Sequence, residues 1–207
     1  MTGHYAALEG IEGAGKSTVA AGVASVLQSR GHAVVPVREP GGTRTGERIR
    51  RILLEPDGEV SPWSEAMLFA AARAQLAESV IRPALAAGSW VIGDRSVYSS
   101  LAYQGVGRGL GVETVRTVNA AGLAGVWPEL VILLRVDPDV GLERQAVSDR
   151  IGGEGMDLQR RVADGFDLLA AAEPDRFLVV DAAAPLEMVV DHVVAVLEES
   201  WTTSSPV

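Results

Sequence analysis

Short apolar runs alternate with longer segments in which apolar residues return every three or four positions, the pattern of strands alternating with helices. Tyr5-Ala-Ala-Leu-Glu9 predicts a first strand, and a glycine-rich turn leads to a predicted helix from about Ser17 to Arg30, stopped at Gly31. Ala33-Val-Val-Pro-Val37 predicts a second strand, with Pro36 suited to an edge because it lacks a ladder donor. A polar loop from Arg38 to Thr45 precedes a short helix ending near Leu54. Ser61 as N-cap and Pro62 at the first helical position open a long helical pattern toward Ala87. Trp90-Val-Ile-Gly93 and Leu130 to Val136 predict buried strands, with a loop at Gly105 to Gly111 and a helix from Val112 to about Leu123 between them. A helix after Pro138, a polar glycine-containing stretch from about Ser148 to Gly155, a further helix, a strand at Phe177-Leu-Val-Val180 and a helix from Pro185 to about Ser200 complete the chain. Strands that are short and apolar on both faces, separated by helices, predict an α/β fold: a parallel sheet flanked by helices on both faces. With no repeat and no long linker, residues 1–200 are expected to form a single domain, followed by a polar tail at 201–207.

Composition narrows the chemistry. The 207 residues contain no cysteine, so disulfides, thiolate metal sites and cysteine nucleophiles are excluded, and three scattered histidines make a histidine-built metal centre a poor expectation. No apolar run approaches the ~20 residues of a membrane span, and the first residues lack the pattern of a signal peptide. The expectation is a soluble, cytoplasmic protein. A net charge of −9 argues against nucleic acid or an anionic membrane as partner. An anionic ligand would need a local island of positive charge. Arginine supplies every basic residue except Lys16. An ammonium is a compact point charge and a guanidinium a planar fork, so a site fitted to one rejects the other.

Lys16 stands in Gly10-Ile-Glu-Gly-Ala-Gly15-Lys16-Ser17, which fits G-x-x-x-x-G-K-[ST] between a predicted strand and a predicted helix. Backbone N–H groups of such a loop converge on phosphate oxygens, and the helix N-terminus adds partial positive charge. The candidate ATP-binding residues are therefore Gly10, Ile11, Glu12, Gly13, Ala14, Gly15, Lys16, Ser17 and Thr18, with Lys16 toward the β- and γ-phosphates and the Ser17 hydroxyl toward Mg²⁺. A dinucleotide-binding reading of the glycines fails on spacing. Two classes of nucleotide protein compete: a kinase acting on a small acceptor, and a hydrolytic switch. A guanine-nucleotide switch needs a second lysine in its base-reading segment, and none exists.

The acceptor side is read from arginines. Asp94 and Arg95 follow a predicted strand at its C-terminal end, where Asp94 can hold Mg²⁺ directly or through water and Arg95 can clamp a second phosphate. Arg38 opens a tight Pro40-Gly41-Gly42 turn after the second strand. Phe69 and Arg73 share a helix face at i, i+4, an aromatic plane beside a guanidinium that suits a flat heterocycle; an ordinary core Phe and a solvated Arg fit the spacing equally well. An acceptor hydroxyl calls for a general base, whereas an acceptor phosphate is already ionised and calls for positive charge against a second polyanion. Arg38, Arg73 and Arg95 favour a nucleoside monophosphate.

Leu8-Glu-Gly-Ile-Glu-Gly-Ala-Gly-Lys-Ser-Thr18, Arg38-Glu-Pro-Gly-Gly-Thr43, Phe69 to Gln75, Asp94-Arg95 and Ser99-Ser-Leu-Ala-Tyr-Gln-Gly105 resemble the thymidylate kinase family, in order along nearly the whole chain and on through Val136 to Arg144 and Val180 to Glu187. The resemblance implies Mg²⁺- and ATP-dependent conversion of dTMP to dTDP, a five-stranded parallel sheet and a homodimer. It also implies that Phe69 stacks on thymine, Arg73 donates to a base carbonyl, and Ser100 and Gln104 lie by the base or phosphate. Arg38 and Arg95 would hold the monophosphate, Glu12 the 3′-hydroxyl, and Tyr103 would crowd C2′ against ribose. The phosphate loop lacks the arginine that some members carry there, so Arg144 and Arg150, in a lid at about 144–157, are expected to serve the transferring phosphoryl. Gly152, Gly153 and Gly155 would let that lid close. A deoxynucleoside kinase, using an acid in an Asp94-Arg95-Ser96 element as base toward a 5′-hydroxyl, is the rival reading.

Overall fold

The computed structural model describes residues 3–55, 58–144 and 150–202. Five strands, β1 (His4–Glu9), β2 (Val34–Arg38), β3 (Trp90–Asp94), β4 (Leu130–Arg135) and β5 (Phe177–Asp181), form one parallel sheet in the order β2-β3-β1-β4-β5. Pro36 lies on the edge strand, as its missing N–H requires. α1 (Lys16–Ser29) packs with α9 (Leu186–Thr202) over one face. On the other lie α3 (Pro62–Leu76), α6 (Val112–Leu123) and α8 (Met156–Ala172). α2 (Arg44–Leu54) rests on α3, and α7 (Pro138–Arg144) on α8. Tyr5 to Glu9 of β1 are all buried, as expected of a central strand covered on both faces.

Register decides where the chemistry falls. Leu8 pairs with Asp94, and Asp94 with Arg38, so the ends of β1, β3 and β2 stand level at the C-terminal edge of the sheet. The loop after β1, the acid closing β3 and the arginine closing β2 therefore open onto one crevice, the usual ligand position in such sheets.

The long helix begins as expected: Ser61 Oγ accepts from the Ser64 N–H and Pro62 occupies the first turn. It continues through π-helical turns at Ala77–Ile81 into α4 (Arg82–Ala86). The segment after β3 differs from the sequence reading. Gly105 to Gly107, expected in a loop, belong instead to a helix that starts as α5 (Val97–Ser100), capped by Ser96, and widens into π-helical turns over Leu101–Gly107. All but Val106 in this stretch are buried, so no polar face marks it as helical in the sequence. Gly152–Glu154 form a single 3₁₀ turn. Residues 145–149 of the expected lid and 203–207 of the expected tail lie outside the described residues. No described helix is long and apolar enough to cross a membrane.

Candidate active site

A cavity of about 370 Å³ opens at the C-terminal edge of the sheet. One wall is the phosphate loop. Gly15 takes a left-handed conformation immediately before α1, and Gly13, with φ 73°, comes so close to α7 that a Cβ there would lie 1.9 Å from the Gly141 carbonyl oxygen. Only glycine fits at position 13, and the left-handed backbone favours glycine at position 15. Lys16 is buried and donates from Nζ to the Ile11 carbonyl at 2.6 Å, the position a phosphate oxygen would compete for. Burial, with help from the Arg95 charge, lowers its pKa to about 8.

The Ser17 hydroxyl donates to Asp94 Oδ2 at 2.6 Å, and both residues line the cavity. A hydroxyl beside a carboxylate is a hard-oxygen donor set of the kind Mg²⁺ takes when phosphates and water complete its shell. Among the described residues no cluster of three or more acidic or histidine side chains could hold a metal by itself.

On the cavity floor Glu12, Arg95 and Tyr103 form one unit. Arg95 Nη2 donates to Glu12 Oε1, the Tyr103 hydroxyl donates to the same oxygen at 3.2 Å, and the guanidinium lies 5.3 Å above the Tyr103 ring centre. Burial pushes the Glu12 carboxyl up, but the charges of Arg95 and Lys16 pull harder and leave it below the ordinary range. Arg95 also reaches the Gly10 carbonyl at 3.3 Å, so it links the acceptor side to the phosphate loop. The Tyr103 phenol is pushed up by burial and remains neutral.

The remaining sequence candidates divide. Arg38, half exposed and 3.1 Å from Glu47, lines the cavity with Phe69 and Gln104. Ser100 lines it too, and its hydroxyl is buried with no partner among the described residues. Arg144 lines the cavity and donates to the Ala182 carbonyl at 3.1 Å. Two arginines stand elsewhere. Arg73, 2% exposed, is not on the cavity wall: Nε meets Glu39 at 2.5 Å, Nη1 meets Asn119 and Nη2 the Ser96 carbonyl at 3.2 Å. Neither the solvated charge nor the freely presented base reader describes it, because its Glu39 partner is itself buried. Arg150 likewise does not line the cavity. Its Nη2 lies 2.6 Å from the buried Glu65 and its Nε 2.9 Å from the Leu53 carbonyl. Glu65 also accepts from Gln104 at 2.9 Å and from Arg108. Burial would raise its carboxyl, but the bonds from Arg108, Arg150 and Gln104 outweigh that and hold it low.

Sequence reasoning missed Glu9, Glu39 and Glu65, the three buried acids that hold these arginines and loops. It also missed Pro40, Arg50, Leu54 and Ile151 on the cavity wall. An acid at the end of an apolar strand, as Glu9 is, was the one signal available.

A phosphate loop opening onto a cavity lined by Arg38 and Arg95 has the positive charge that a P-loop kinase with a phosphorylated acceptor requires. Comparison with known proteins gives the same class. Residues 8–193 match the family described as thymidylate kinase. The thymidylate kinase of Deinococcus radiodurans is 47% identical over 186 residues, 88% of this chain and 90% of that protein. That of Pelotomaculum thermopropionicum is 47% identical over 204 residues, 96% of this chain and 94% of its own. The crystal structure of thymidylate kinase from Ehrlichia chaffeensis superposes with a TM-score of 0.78 at 29% identity, covering 95% of this chain and 99% of that one. The chain belongs to the thymidylate kinase family, the nucleoside monophosphate kinases whose activity is phosphoryl transfer to dTMP.

Proposed function

We propose that this chain transfers the γ-phosphoryl group of ATP to the phosphate of dTMP, giving ADP and dTDP, with the two nucleotides meeting end to end across the cavity. The observation that carries this reading is that Lys16 and Arg95 donate to neighbouring carbonyls of the same loop, Ile11 and Gly10, which supports one cation for each of the two polyanions. Phosphoryl transfer needs little covalent help from the protein; it needs alignment and fixed positive charge. The phosphate-loop residues bind the donor, and Lys16 exchanges the Ile11 carbonyl for phosphate oxygens. Arg95 and Arg38 hold the acceptor phosphate, whose oxygen is the nucleophile and needs no base. Phe69 stacks on thymine, Ser100 and Gln104 lie by the base or phosphate, and Arg73, behind the wall, holds the Ser96 carbonyl rather than a base carbonyl. Glu12 takes the 3′-hydroxyl, and the Tyr103 ring fills the space a 2′-hydroxyl would need. Arg144, on the wall beside the donor, serves the transferring group, whereas Arg150 fastens the lid to α2 and α3 through Leu53 and Glu65. Ser17 and Asp94 would hold Mg²⁺, which when bound supplies charge neutralisation between donor phosphates.

A homodimer is supported by Trp63 and Met67, exposed apolar side chains one turn apart on α3, with Ile52 exposed on the adjoining α2. Sizing chromatography should show a particle of twice the chain mass; a monomer alone removes the dimer. ATP and dTMP are polyanions that do not cross a bilayer unaided, which supports a cytoplasmic site of action. The test of function is a panel of dTMP, dUMP, UMP and dCMP with ATP and magnesium, scored by ADP release. Fastest turnover is expected with dTMP and slowest with the ribonucleotide UMP. Equal rates across the panel, or release indifferent to acceptor, would overturn the reading.

A further inference from the structure

Arg95 carries its guanidinium to the cavity from a backbone conformation that side-chain-bearing residues rarely adopt, with φ 73°. Its neighbours explain how that conformation persists. Ser96, the next residue, donates its N–H to Glu9 Oε1 at 2.7 Å and its hydroxyl to the same oxygen at 2.8 Å. The Ser96 carbonyl is taken from the other side by Arg73 Nη2 at 3.2 Å. Ser99 donates its N–H to Glu9 Oε1 at 3.0 Å and its hydroxyl to Oε2 at 2.6 Å. The Ser99 oxygen then accepts from Arg95 Nη1 at 3.2 Å, so a continuous relay runs from Glu9 through Ser99 to the guanidinium.

Glu9 is fully buried and is the last residue of β1, immediately before the phosphate loop. Both of its oxygens are engaged as acceptors, which a carboxylate can satisfy and an amide cannot. A glutamine in the same place would turn an N–H₂ group either onto the Ser96 N–H or onto the Ser99 hydroxyl. In the second case the Ser99 oxygen would have to accept from both the amide and Arg95.

We propose that Glu9 is a positioning residue for phosphoryl transfer: through Ser96 and Ser99 it holds Arg95 in the left-handed turn that aims its guanidinium at the acceptor phosphate. This rests on the reading of Arg95 as the acceptor clamp. Glu9 itself touches neither nucleotide.

The test is a double-mutant cycle of Glu9→Gln and Arg95→Ala in the full chain, with ATP and dTMP varied separately. Glu9→Gln should lower kcat/KM for dTMP by roughly 10- to 100-fold, the scale of a misaligned catalytic group, while KM for ATP moves less than about threefold. Added to Arg95→Ala, the same change should cost less than about threefold more, because its effect passes through the missing guanidinium. A loss of equal size in both backgrounds, or one shared equally by ATP and dTMP, overturns the inference and leaves Glu9 a packing residue. Unchanged dTMP kinetics in Arg95→Ala alone would instead overturn the acceptor-clamp reading beneath it. Ser99→Ala, which breaks the relay without altering a buried charge, is carried through the same cycle and decides the matter if Glu9→Gln does not fold. Its dTMP-specific loss should vanish in the Arg95→Ala background, and persistence there refutes the relay.

Discussion

Lys16 is the single lysine of the chain, and its burial gives ATP binding a pH dependence that can be worked out in advance. Burial and the Arg95 charge bring its pKa down to about 8 in the free protein. Phosphates around the ammonium favour the charged form, so its pKa must rise when the donor binds. Binding therefore selects the protonated protein. The sign follows: affinity is fully expressed well below pH 8 and falls as the pH climbs through it, with proton uptake per ATP bound rising from about 0.1 at pH 7 through about 0.5 at pH 8 to about 0.9 at pH 9. If the bound-state pKa lies well above 9, the apparent Kd scales as 1 + 10^(pH − 8), roughly 1.1 at pH 7 and 11 at pH 9, a tenfold weakening. Isothermal titration with Mg-ATP at pH 7, 8 and 9, in buffers of differing ionisation enthalpy, reads both the affinity and the proton. An unmodified Lys on the protein surface would still be charged at pH 9. A Kd that stays constant from pH 7 to 9, with no proton uptake, would refute the burial argument.

Three further outcomes follow from the contacts. In single-turnover experiments Arg144→Ala should slow phosphoryl transfer by at least ~10³-fold, as loss of an arginine finger does, whereas Arg150→Ala should change the chemical step far less; equal losses would return Arg150 to the transferring phosphoryl. Glu65→Gln removes the charge that Arg108 and Arg150 share, at about 2 kcal/mol, and should lower Tm by roughly 4–8 °C in a calorimetric scan; an unchanged Tm would show that the network contributes no stability. Phe69→Ala should raise KM for dTMP by roughly 5- to 150-fold, the worth of one base–aromatic stack, with KM for ATP unchanged; equal effects on both would make Phe69 a packing residue.

How much of this was legible beforehand follows from the range of the interactions. The phosphate loop, the edge position of Pro36 and the Ser61-Pro62 helix start are local signals and were read correctly, because backbone requirements act over a few residues. The helix after β3 was not legible: buried on nearly all sides, it carries no amphipathic period, and its polar residues Ser99, Ser100 and Gln104 resemble a loop. The acids that organise the site were also hidden. Glu9 meets Ser96 across 87 positions and Glu65 meets Arg150 across 85, contacts that spacing cannot announce. Arg73 shows the same limit from the other direction. Its helix face was identified, but only the fold brings Glu39 and Asn119 to it and turns a presented guanidinium into a buried one.

The account's central claim is that the acceptor is a phosphate and not a hydroxyl, because Arg38 and Arg95 line the cavity while the carboxylates Glu12 and Asp94 on its wall are already engaged by Arg95 and Ser17. Following ³¹P resonances while the enzyme is given ATP, magnesium and an equimolar mixture of dTMP and thymidine tests this in one tube. The β-phosphate of dTDP should grow in step with ADP while thymidine is untouched. Consumption of thymidine ahead of dTMP, or ADP and inorganic phosphate appearing without any dTDP, would contradict it.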